Sequence, residues 1–501
     1  MNLLSSPWIP VRHQAGAGSF LLISYRQLLC EDAGWRISLP RDDLEMACLQ
    51  LLISLTQVLF LPATMDEVED RLAVPMPESD FDAAATVSSD WFDLDHPTQP
   101  FMQTRAVVAK EITPIQKLMI GLPEGNNHCF FDPIGEVKQL SAPVAAIALF
   151  NQATNCPSFG GGFKGSLRGG APITTLIDAE HLRRQVWTNV VSERQLKDEL
   201  PPSWQHDLSQ DRPTWIDPIQ AKQVIHATQI GLVRGLFWQP AHVELIRSEH
   251  EGRCDVLGIE TDQLYTGFRK EKFNFTLEGV WSHPHGARML KLKKGEPEIK
   301  YQSFTTTAPG WTRLSELVVA KPIQKGEGNA PAMPILQASA LGIEPLTLIV
   351  GGYRNKQASV IERRHELMTL GRGWASKRDQ IDLVVGLGLA AKDALRHKLY
   401  FAVKGHRDKG LEGLSVPIHL VAEQRFYASS ETLILNAIAD EGTFDDWPTA
   451  REALVEALSV LCRTLFEELT DPFTAKPELI PIVAWARRSL NNELKKLKEG
   501  Q

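Results

Sequence analysis

The sequence predicts an α+β protein: a large mixed α/β N-terminal domain with irregular loops, residues 1–375, followed by a C-terminal four-helix bundle, residues 376–501. Three observations support this fold class. Between residues 173 and 350, strand-like runs alternate with Gly and Pro turns, which is typical of a mainly antiparallel region. After about residue 375, proline and glycine become sparse and apolar residues recur with a helical period. Shortish loops join these helical segments, which favours a bundle.

The individual elements follow from local patterns. Residues 1–40 predict short strands and turns, and residues 42–72 predict a helix that begins at an acidic pair. Residues 75–135 are rich in Pro, Asp, Gly and Asn and indicate an irregular region. A helix is predicted over 144–151, and strand-like runs cover 173–177, 243–246, 272–276, 289–292 and 346–350. The predicted bundle helices span 378–404, 418–439, 449–469 and 477–498.

The composition is that of an ordinary globular protein with an acidic balance. The chain has 501 residues, 43% hydrophobic and 23% charged, which excludes fibrous, collagen-like and disordered proteins. It carries 53 Lys and Arg against 61 Asp and Glu, a formal net charge of -8. Free-standing nucleic-acid binders are usually basic. A nucleic-acid role therefore requires local basic patches or partners that supply positive charge.

Cysteine usage and apolar runs indicate the compartment. The six cysteines include no C-x-x-C pair, so the sequence indicates neither a disulfide framework nor a zinc knuckle. The N-terminal stretch lacks a basic segment followed by an apolar one, so we expect no secretory signal. The longest apolar stretch, 44–61, is interrupted by polar residues and predicts a buried helix instead of a membrane span. We expect a soluble, cytoplasmic protein without a membrane partner.

Two glycine patterns match the dinucleotide-binding fingerprint as strings but lack its context. G-x-G-x-x-G at 160–165 is neither preceded by a strand nor followed by a helix. G-x-G-x-x-A at 386–391 heads the helical region, where glycines that permit close packing are the favoured interpretation. No P-loop and no G-x-S-x-G nucleophile elbow is present. We therefore expect no cofactor.

Two groups of side chains have the chemistry of metal ligands. His283 and His285 offer two imidazoles, and Asp93, Asp95 and His96 form a second group. No third ligand for the histidine pair is visible in the sequence, so structural histidines are the favoured interpretation. We predict no metal site and no catalytic cluster. A metal-dependent nuclease or hydrolase that uses these residues stays open as an alternative function.

Glycine and cationic residues form the remaining pattern. The loop 157–170 is rich in glycine and contains Lys164 and Arg168. Glycine lets a backbone approach a groove or a phosphate because no Cβ stands in the way. Further basic stretches lie at 269–272, 288–294, 354–364 and 392–409. Each alone is typical of a solvated surface, but five such patches on an acidic chain favour phosphate contact.

Long runs of this sequence resemble a known family. The chain is similar nearly end to end to the CasA family, the large subunits of type I-E CRISPR Cascade surveillance complexes. The runs that carry the resemblance are LPRDDLEMA (39–47), QPFMQT (99–104), AIALFNQA (146–153), FGGGFKGSLRGG (159–170), GLVRGLFWQPAHVEL (231–245), YTGFRKEKF (265–273), TTAPGW (306–311) and GGYRNKQASVIERRH (351–365). The resemblance implies a mixed α/β domain and a C-terminal four-helix bundle, which agrees with the composition change near residue 375.

The resemblance also implies a function, that of a subunit that is not an enzyme. Members of the family check double-stranded target DNA for a short protospacer-adjacent motif, start strand separation, hold the displaced strand and offer a docking surface to a helicase-nuclease. The guide RNA reads the target sequence, and the protein reads the flanking motif. The implied partners are the CRISPR guide RNA, the target duplex, the other Cascade subunits and the helicase-nuclease.

The family's DNA-contacting elements are assigned to this sequence residue by residue. The resemblance assigns its glycine loop to 158–162, with Gly160 and Gly161 against the minor groove, its lysine finger to Lys272, and its hairpin wedge to Lys356, Gln357 and Ala358. The minor groove presents mostly acceptors, which suits a lysine donor and a close glycine backbone. Driving Gln357 between base steps costs a few kcal/mol, which groove and backbone contacts offset.

The resemblance further assigns contacts with RNA and with the displaced strand. Phe130, Phe131 and Asp132 match the segment that reaches the RNA 5′ handle and the neighbouring subunits. Lys293 and Lys294 match basic residues along the path of the displaced strand.

Three features depart from the family pattern. Some relatives bind zinc through four cysteines, where this chain has Ser141, Val144 and a region with Cys254 alone, so we expect no zinc there. Lys356 stands where a relative has asparagine, and Ser158 replaces the first glycine of the loop. The preferred motif is therefore not transferred from the family. A purely architectural subunit that holds RNA and its neighbours without touching DNA stays open as a second alternative.

Overall fold

The structure, a computed structural model, describes residues 1–14, 20–109, 111–122, 135–200, 204–293, 296–324 and 326–500. The chain divides into two compact units. The first, called the sheet unit, comprises Met1–Thr305, Pro322–Leu341 and Leu348–Leu367. The second, called the helical unit, comprises Thr306–Lys321, Gly342–Thr347 and Met368–Gln501. The helical unit thus includes two short segments that precede the boundary predicted at residue 375.

The described helices are α1 Tyr25–Cys30, α2 Asp42–Leu59, α3 Met65–Ala73, α4 Glu78–Val87, α5 Ala142–Thr154, α6 Leu182–Asn189, α7 Glu193–Lys197, α8 Leu232–Leu236, α9 Leu314–Val318, α10 Met333–Ala340, α11 Arg378–Lys404, α12 Ile418–Ala439, α13 Glu441–Asp445, α14 Trp447–Thr470 and α15 Ile480–Glu499. Among the described residues, none of these helices is both long and apolar enough to cross a membrane. The mixture of helices with the strands given next confirms the predicted fold class.

The described strands are β1 Pro7–His13, β2 Leu21–Ser24, β3 Trp35–Ile37, β4 Thr113–Pro114, β5 Leu140–Ser141, β6 Thr174–Ile177, β7 Val224–His226, β8 His242–Arg247, β9 Gly252–Arg253, β10 Glu260–Thr261, β11 Leu264–Glu271, β12 Thr276–Glu278, β13 Arg288–Lys293, β14 Glu296–Tyr301, β15 Lys321–Gln324, β16 Glu327–Ala330, β17 Leu346–Lys356 and β18 Ser359–Leu370. They form several small sheets, most with antiparallel neighbours, while β7 and β12 run parallel.

The core of the sheet unit is built around two buried helices, α2 and α5. Nearly every residue of both helices is buried, including four polar residues near the middle and end of α2. Helices that are buried all round lie inside a protein core. The predicted helix over 42–72 is interrupted, because α2 ends at Leu59 and Pro62 follows in the connection. A new helix, α3, begins after Thr64, whose hydroxyl accepts a hydrogen bond from the Glu67 N–H at 3.3 Å.

One predicted strand is wrong. The sequence indicates a strand at 272–276, but the structure has β11 over Leu264–Glu271 and a connection to β12 that begins at Thr276. The pairing of β11 with β8 ends where Glu271 meets His242, the first residue of β8. Without a neighbouring strand beyond this point, Lys272 leaves the sheet, and this departure determines its position in the candidate site below.

The helical unit contains the four long helices that the sequence predicts. Helix α11 packs against α12, α14 and α15, and α12 packs against α14. The bounds of α11 and α12 equal the predicted ones, because their apolar residues recur with a strong helical period. The earlier segment 306–321 joins this unit through Ser315 and Lys321, whose hydroxyl and ammonium both donate to Asp382 Oδ1 of α11, the ammonium at 2.6 Å.

The sequence pattern at 386–391 is part of helix α11, as expected, and its two glycines differ in their surroundings. A Cβ at Gly388 would lie 2.9 Å from Ile434 Cδ1 and 2.9 Å from Trp311 Cη2. At Gly386, no described atom lies within 4 Å of an added Cβ. Gly388 therefore permits close approach of a neighbouring helix and a tryptophan, whereas Gly386 does not serve packing.

A pair of buried histidines lies in the core of the sheet unit. The backbone N–H of His285 donates to His283 Nδ1 at 3.1 Å, and the Gln50 amide nitrogen lies 3.3 Å from His285 Nδ1. Burial, together with the Arg168 guanidinium, lowers the pKa of His283 far below its ordinary value and that of His285 to about 3. Both imidazoles are therefore neutral in the folded protein.

We predict that exchanging the two glycines of α11 has opposite effects. Gly388→Ala should lower the free energy of unfolding of the helical unit by about 1–3 kcal/mol through overpacking. Gly386→Ala should raise it by about 0.5–1 kcal/mol, because alanine has the higher helix propensity. Thermal unfolding of the two variants measures both effects. Shifts of the same sign and size would contradict the packing role of Gly388.

We also predict that the histidine pair makes the sheet unit sensitive to acid. Below the ordinary histidine pKa of about 6.5, the unfolded chain takes up protons that the folded chain excludes. Stability is therefore complete above about pH 6.5 and falls as the pH drops, by up to ~1.4 kcal/mol per histidine per pH unit. The unfolding midpoint, followed from about pH 7 to pH 5, should fall less steeply in the variant with His283→Gln and His285→Gln.

The control for this acid sensitivity is His250→Gln, since His250 is an exposed histidine of the same unit. This control should keep the slope of the unmodified chain. If the double variant also keeps that slope, the buried pair does not carry the acid sensitivity.

Candidate nucleic-acid interface

The glycine-rich loop presents an open stretch of backbone. Gly160, Gly161 and Gly162 all have positive φ, at 83°, 54° and 89°, a conformation that side chains other than hydrogen disfavour. The Phe163 N–H donates to the Gly160 carbonyl at 2.9 Å and closes the turn. Ser158 contributes its hydroxyl, which accepts from the Gly160 N–H at 3.3 Å. The serine that departs from the family pattern thus stabilises the start of the turn.

Lys272 contacts this loop directly. Its ammonium group donates to the Gly161 carbonyl oxygen at 2.9 Å, and the two residues lie 111 positions apart in the chain. A Cβ added at Gly162 would lie 3.5 Å from Lys272 Nζ. Both the lysine side chain and the Gly161 backbone are exposed, and no described atom lies within 4 Å of an added Cβ at Gly161. The loop and the lysine therefore present one continuous exposed surface to the solvent.

The tip of the β17–β18 hairpin lies against the same loop. A Cβ at Gly160 would be 3.4 Å from the Cβ of Ala358, so these two residues are in van der Waals contact range. Lys356 and Gln357 are exposed, and Gln357 has a φ of 55°. The Asn355 side-chain amide donates to the Gln357 carbonyl and holds this turn. The structure therefore brings together the glycine loop, Lys272 and the hairpin tip, which the sequence separates widely.

Buried hydrogen bonds fix the hairpin to the core. Tyr353 of β17 is buried, donates to Asp43 Oδ2 at 2.9 Å and accepts from the Asn151 side-chain amide at 2.9 Å. Burial raises the pKa of the Tyr353 hydroxyl far above its ordinary value, which keeps it a donor. Arg41 forms an ion pair with Asp43 at 2.8 Å and donates to the Ile120 carbonyl at 2.7 Å.

The same chain of hydrogen bonds continues to the glycine-rich loop. The Asn155 side chain donates to Asn151 Oδ1 at 3.0 Å and accepts from Arg168 at 2.5 Å. Arg168 also donates to Thr174 Oγ1 at 3.0 Å. Arg168 is buried, and this burial lowers its pKa to about 10. Arg168, which the sequence analysis counts in a basic patch that favours phosphate contact, is therefore a buried residue that anchors the loop.

Carboxylates form ion pairs with many of the Lys and Arg residues in the basic stretches found in the sequence. Glu362 pairs with both Arg354 and Arg364, at 2.6 and 3.0 Å. Other cation–carboxylate pairs are Arg288–Glu199 at 2.8 Å, Lys291–Glu327 at 3.0 Å, Lys293–Glu298 at 3.4 Å and Arg396–Glu423 at 2.8 Å. In the part of the chain that the structure describes, no carboxylate lies within ion-pair distance of Lys272 or Lys356. Several other lysines of the basic stretches, among them Lys164 and Lys270, also lack such a carboxylate. Lys272, which contacts Gly161, and Lys356, at the hairpin tip, are the two that lie on the surface described above.

Aromatic rings pack against the loop, and of these aromatic residues the sequence analysis noted only Phe268 and Phe273, beside the basic stretch 269–272. Phe159 packs edge-on against Phe163 at 5.6 Å between centroids and contacts Phe268 at 5.7 Å. The Lys270 ammonium lies over the Phe159 ring at 5.0 Å, and that of Lys164 lies 5.7 Å from the Phe275 ring. The alternation of aromatic and cationic residues over 268–275 was the signal that could have indicated this cluster.

Five predicted residues are not part of the surface described above. Four of them, Phe130, Phe131, Asp132 and Lys294, are outside the described residues, so their predicted roles stay predictions. Lys293 ends strand β13 and its side chain is 69% exposed, although it pairs with Glu298.

The residues of the alternative metal site have structural partners. Tyr265 donates to Asp95 Oδ1 at 2.7 Å, the Asp95 N–H donates to Asp93 Oδ1 at 3.0 Å, and His96 Nδ1 accepts from the Gln99 N–H at 3.0 Å. Within the described ranges, no group of three or more His, Cys, Asp or Glu side chains is arranged to hold a metal ion. At the position of the relatives' zinc cysteines, the Ser141 N–H donates to the Cys254 sulfur at 3.2 Å.

Comparisons with solved structures identify the fold. The Cse1 protein of Thermobifida fusca has a TM-score of 0.74 at 18% identity, and the match covers 100% of this chain and 98% of that chain. The Cse1 protein of Acidimicrobium ferrooxidans has a TM-score of 0.72 at 17% identity, with the same coverage of 100% and 98%. A chain of a structure described as a CRISPR RNA-guided surveillance complex has a TM-score of 0.68 at 14% identity and covers 98% of this chain and 99% of that chain.

Sequence comparisons identify the family. The CRISPR-associated protein CasA/Cse1 of Thermus thermophilus is 25% identical over 502 residues, which cover 93% of both chains. The family described as CRISPR-associated protein Cse1 matches residues 2–465. Since this match spans most of the chain and agrees with the fold, the chain belongs to the CRISPR-associated Cse1 family, which confirms its resemblance to the CasA large subunits of Cascade.

Proposed function

We propose that this chain is the non-catalytic large subunit of a cytoplasmic, RNA-guided Cascade complex that recognises a protospacer-adjacent motif in double-stranded DNA from the minor groove. The observation that carries the proposal is the contact between Lys272 and the Gly161 carbonyl, beside a hairpin tip that touches Gly160. Three elements that the resemblance assigns to motif recognition thus form one exposed surface. The family membership supports the assignment to a CRISPR effector complex.

The chemistry of the surface suits a minor groove. The base edges in the minor groove present mostly hydrogen-bond acceptors. An ammonium group has three N–H donors and can contact several of these acceptors. Glycine at 160 and 161 lets the backbone approach the groove without a side chain in the way. Because carboxylates neutralise neighbouring cations but not Lys272 or Lys356, the local field at this surface is positive on an otherwise acidic chain.

The hairpin tip suits strand separation. Gln357 is exposed at the end of two long strands, and the strand β17 is tied to the core by Tyr353. A side chain inserted between base steps has to offset an unstacking cost of a few kcal/mol, which requires a rigid support. Lys356, next to the wedge, is available for a phosphate of the opened duplex. Lys356 stands where a relative has asparagine, and we expect the lysine to contact a phosphate there.

The remaining roles follow from the resemblance. The segment with Phe130, Phe131 and Asp132 contacts the 5′ handle of the guide RNA and neighbouring subunits, and Lys293 with Lys294 contacts the displaced strand. The assembled complex then recruits the helicase-nuclease. The net charge of -8 supports a role in which guide RNA and partner subunits supply much of the binding surface.

We predict that Lys272→Ala and Gln357→Ala each weaken motif-dependent binding by the assembled complex, by about 10- to 100-fold. Lys272→Ala removes a donor to the groove and a support of the glycine loop, while Gln357→Ala removes the wedge. Lys197→Ala is the matched control, since this exposed lysine of α7 pairs with Glu193 at 3.0 Å. Binding is measured against duplexes with a randomised flanking motif.

The binding measurement with randomised flanking motifs, together with a cleavage assay, also distinguishes the proposed function from the architectural and nuclease alternatives. Full motif selection in both variants would remove the site assignment. Binding that is unchanged when the whole subunit is omitted would favour the architectural role. Cleavage that depends on magnesium or manganese and is lost in His285→Ala would favour the nuclease alternative.

We predict a different effect for the displaced-strand lysines. Combining Lys293→Gln with Lys294→Gln should weaken target binding without changing the selected motif. The slope of log affinity against log salt should flatten by ~0.7 to ~0.9 for each phosphate that the complex no longer binds. Lys197→Gln is again the control for the loss of an exposed, ion-paired lysine. A changed motif preference, or an unchanged salt slope, would contradict this role.

A further inference from the structure

A cavity of about 400 Å³ opens beside the glycine-rich loop. Its walls come from the loop at Ser158 and Phe159, the end of α5 at Cys156, the segment that contains Lys117, and the hairpin at Ala358 and Val360. Sites for small organic ligands have volumes of about 300–1,000 Å³, so this cavity has the size of a nucleotide site. Nothing in the proposed motif recognition uses it.

The chemistry of the walls favours an anionic, aromatic guest. Lys117 is half-buried and is the one charged side chain among the described lining residues. The Lys270 ammonium lies over the Phe159 ring at 5.0 Å, so a second cation stands at the aromatic wall. Burial lowers the pKa of Lys117 to about 8, with Lys270 as a further cause. Lys117 and Lys270 both raise the positive potential on this side of the cavity, which favours an anionic group there.

The position of the cavity indicates the source of this guest. Ala358 adjoins the wedge residue Gln357, and Ser158 lies at the start of the turn that holds Gly160 and Gly161. When the wedge separates a base pair next to this point, one of the two unpaired nucleotides would therefore lie within reach of the cavity. Bases taken out of a stack are commonly held in a fitted protein pocket and against aromatic side chains.

We propose that the cavity receives one unpaired nucleotide of the target DNA, with its base beside Phe159 and its phosphate between Lys117 and Lys270. The inference rests on the proposed function, since the unpaired nucleotide arises only where the wedge opens the duplex. The cavity then holds the first separated nucleotide and opposes re-pairing of the strands. It adds a binding site to the surface formed by the glycine loop, Lys272 and the hairpin tip.

The titration of Lys117 gives this site a pH signature. A phosphate stabilises the charged form of Lys117, so affinity should fall as the pH rises through about 8. Of the described residues, Lys270 and Cys156 are titratable groups that affect the pKa of Lys117. Burial raises the pKa of the Cys156 thiol far above its ordinary value, so the thiol stays neutral in this range. Lys117→Gln should remove the pH dependence.

The test uses the assembled complex with the full chain and target duplexes that carry 2-aminopurine at single positions next to the motif, on either strand. The variants are Lys117→Gln, which removes a cation, and Val360→Phe, which fills the cavity and keeps both lysines. Lys197→Gln is the control for loss of one positive charge. We expect one reporter position whose fluorescence change on binding is lost in both cavity variants and kept in the control, while motif selection persists.

Other results overturn the inference in distinguishable ways. If fluorescence at every position is the same in the variants and the unmodified complex, and motif selection is intact, the nucleotide does not enter the cavity and the proposed function stands. If the unmodified complex shows no motif-dependent binding, the proposed function fails and this inference fails with it. If Lys117→Gln impairs assembly with guide RNA before DNA is added, the cavity serves RNA instead.

Discussion

The candidate interface depends on one buried chain of hydrogen bonds that runs from Asp43 through Tyr353, Asn151 and Asn155 to Arg168. This chain joins four separate parts of the sheet unit: the start of α2, the hairpin strand β17, the end of α5 and the glycine-rich loop. In a low-dielectric core, each group in such a chain needs its partner, and loss of one partner leaves the other with a desolvation penalty of about 1–3 kcal/mol. The hairpin tip and the loop therefore keep a fixed mutual position.

Charge is distributed so that the surface is selective. Carboxylates pair with most cations of the basic stretches, among them Arg288, Arg354 and Arg396. Such pairs reduce the general attraction of the chain for polyanions, and the net charge of -8 reduces it further. Among the described lysines that no carboxylate pairs with, Lys272 and Lys356 lie beside the exposed glycine backbone and the hairpin tip. A weak general attraction with a strong local one is consistent with the proposed function, which requires that most duplex DNA is not bound.

The fold was predictable from sequence where the pattern is local and periodic. Apolar spacing predicts α11 and α12 with their observed bounds, whereas the strand predicted at 272–276 fails because β8, its would-be neighbour, already begins at His242. The site was predictable only through the family resemblance. No local pattern indicates that Lys272 reaches Gly161, 111 positions earlier, or that Arg168 is buried, because both depend on long-range packing.

The bond from Lys272 to Gly161 has a consequence for the speed and the free-energy cost of association. A lysine in solution samples many rotamers, and ordering it at an interface commonly costs about 0.5–1.5 kcal/mol. Here the protein itself orders the side chain, on a neutral carbonyl that leaves its charge intact. An ammonium group has three donors, so one holds the loop and two are left for other acceptors. Under the proposed function, a duplex would meet a preorganised donor, and little conformational entropy would be lost on binding.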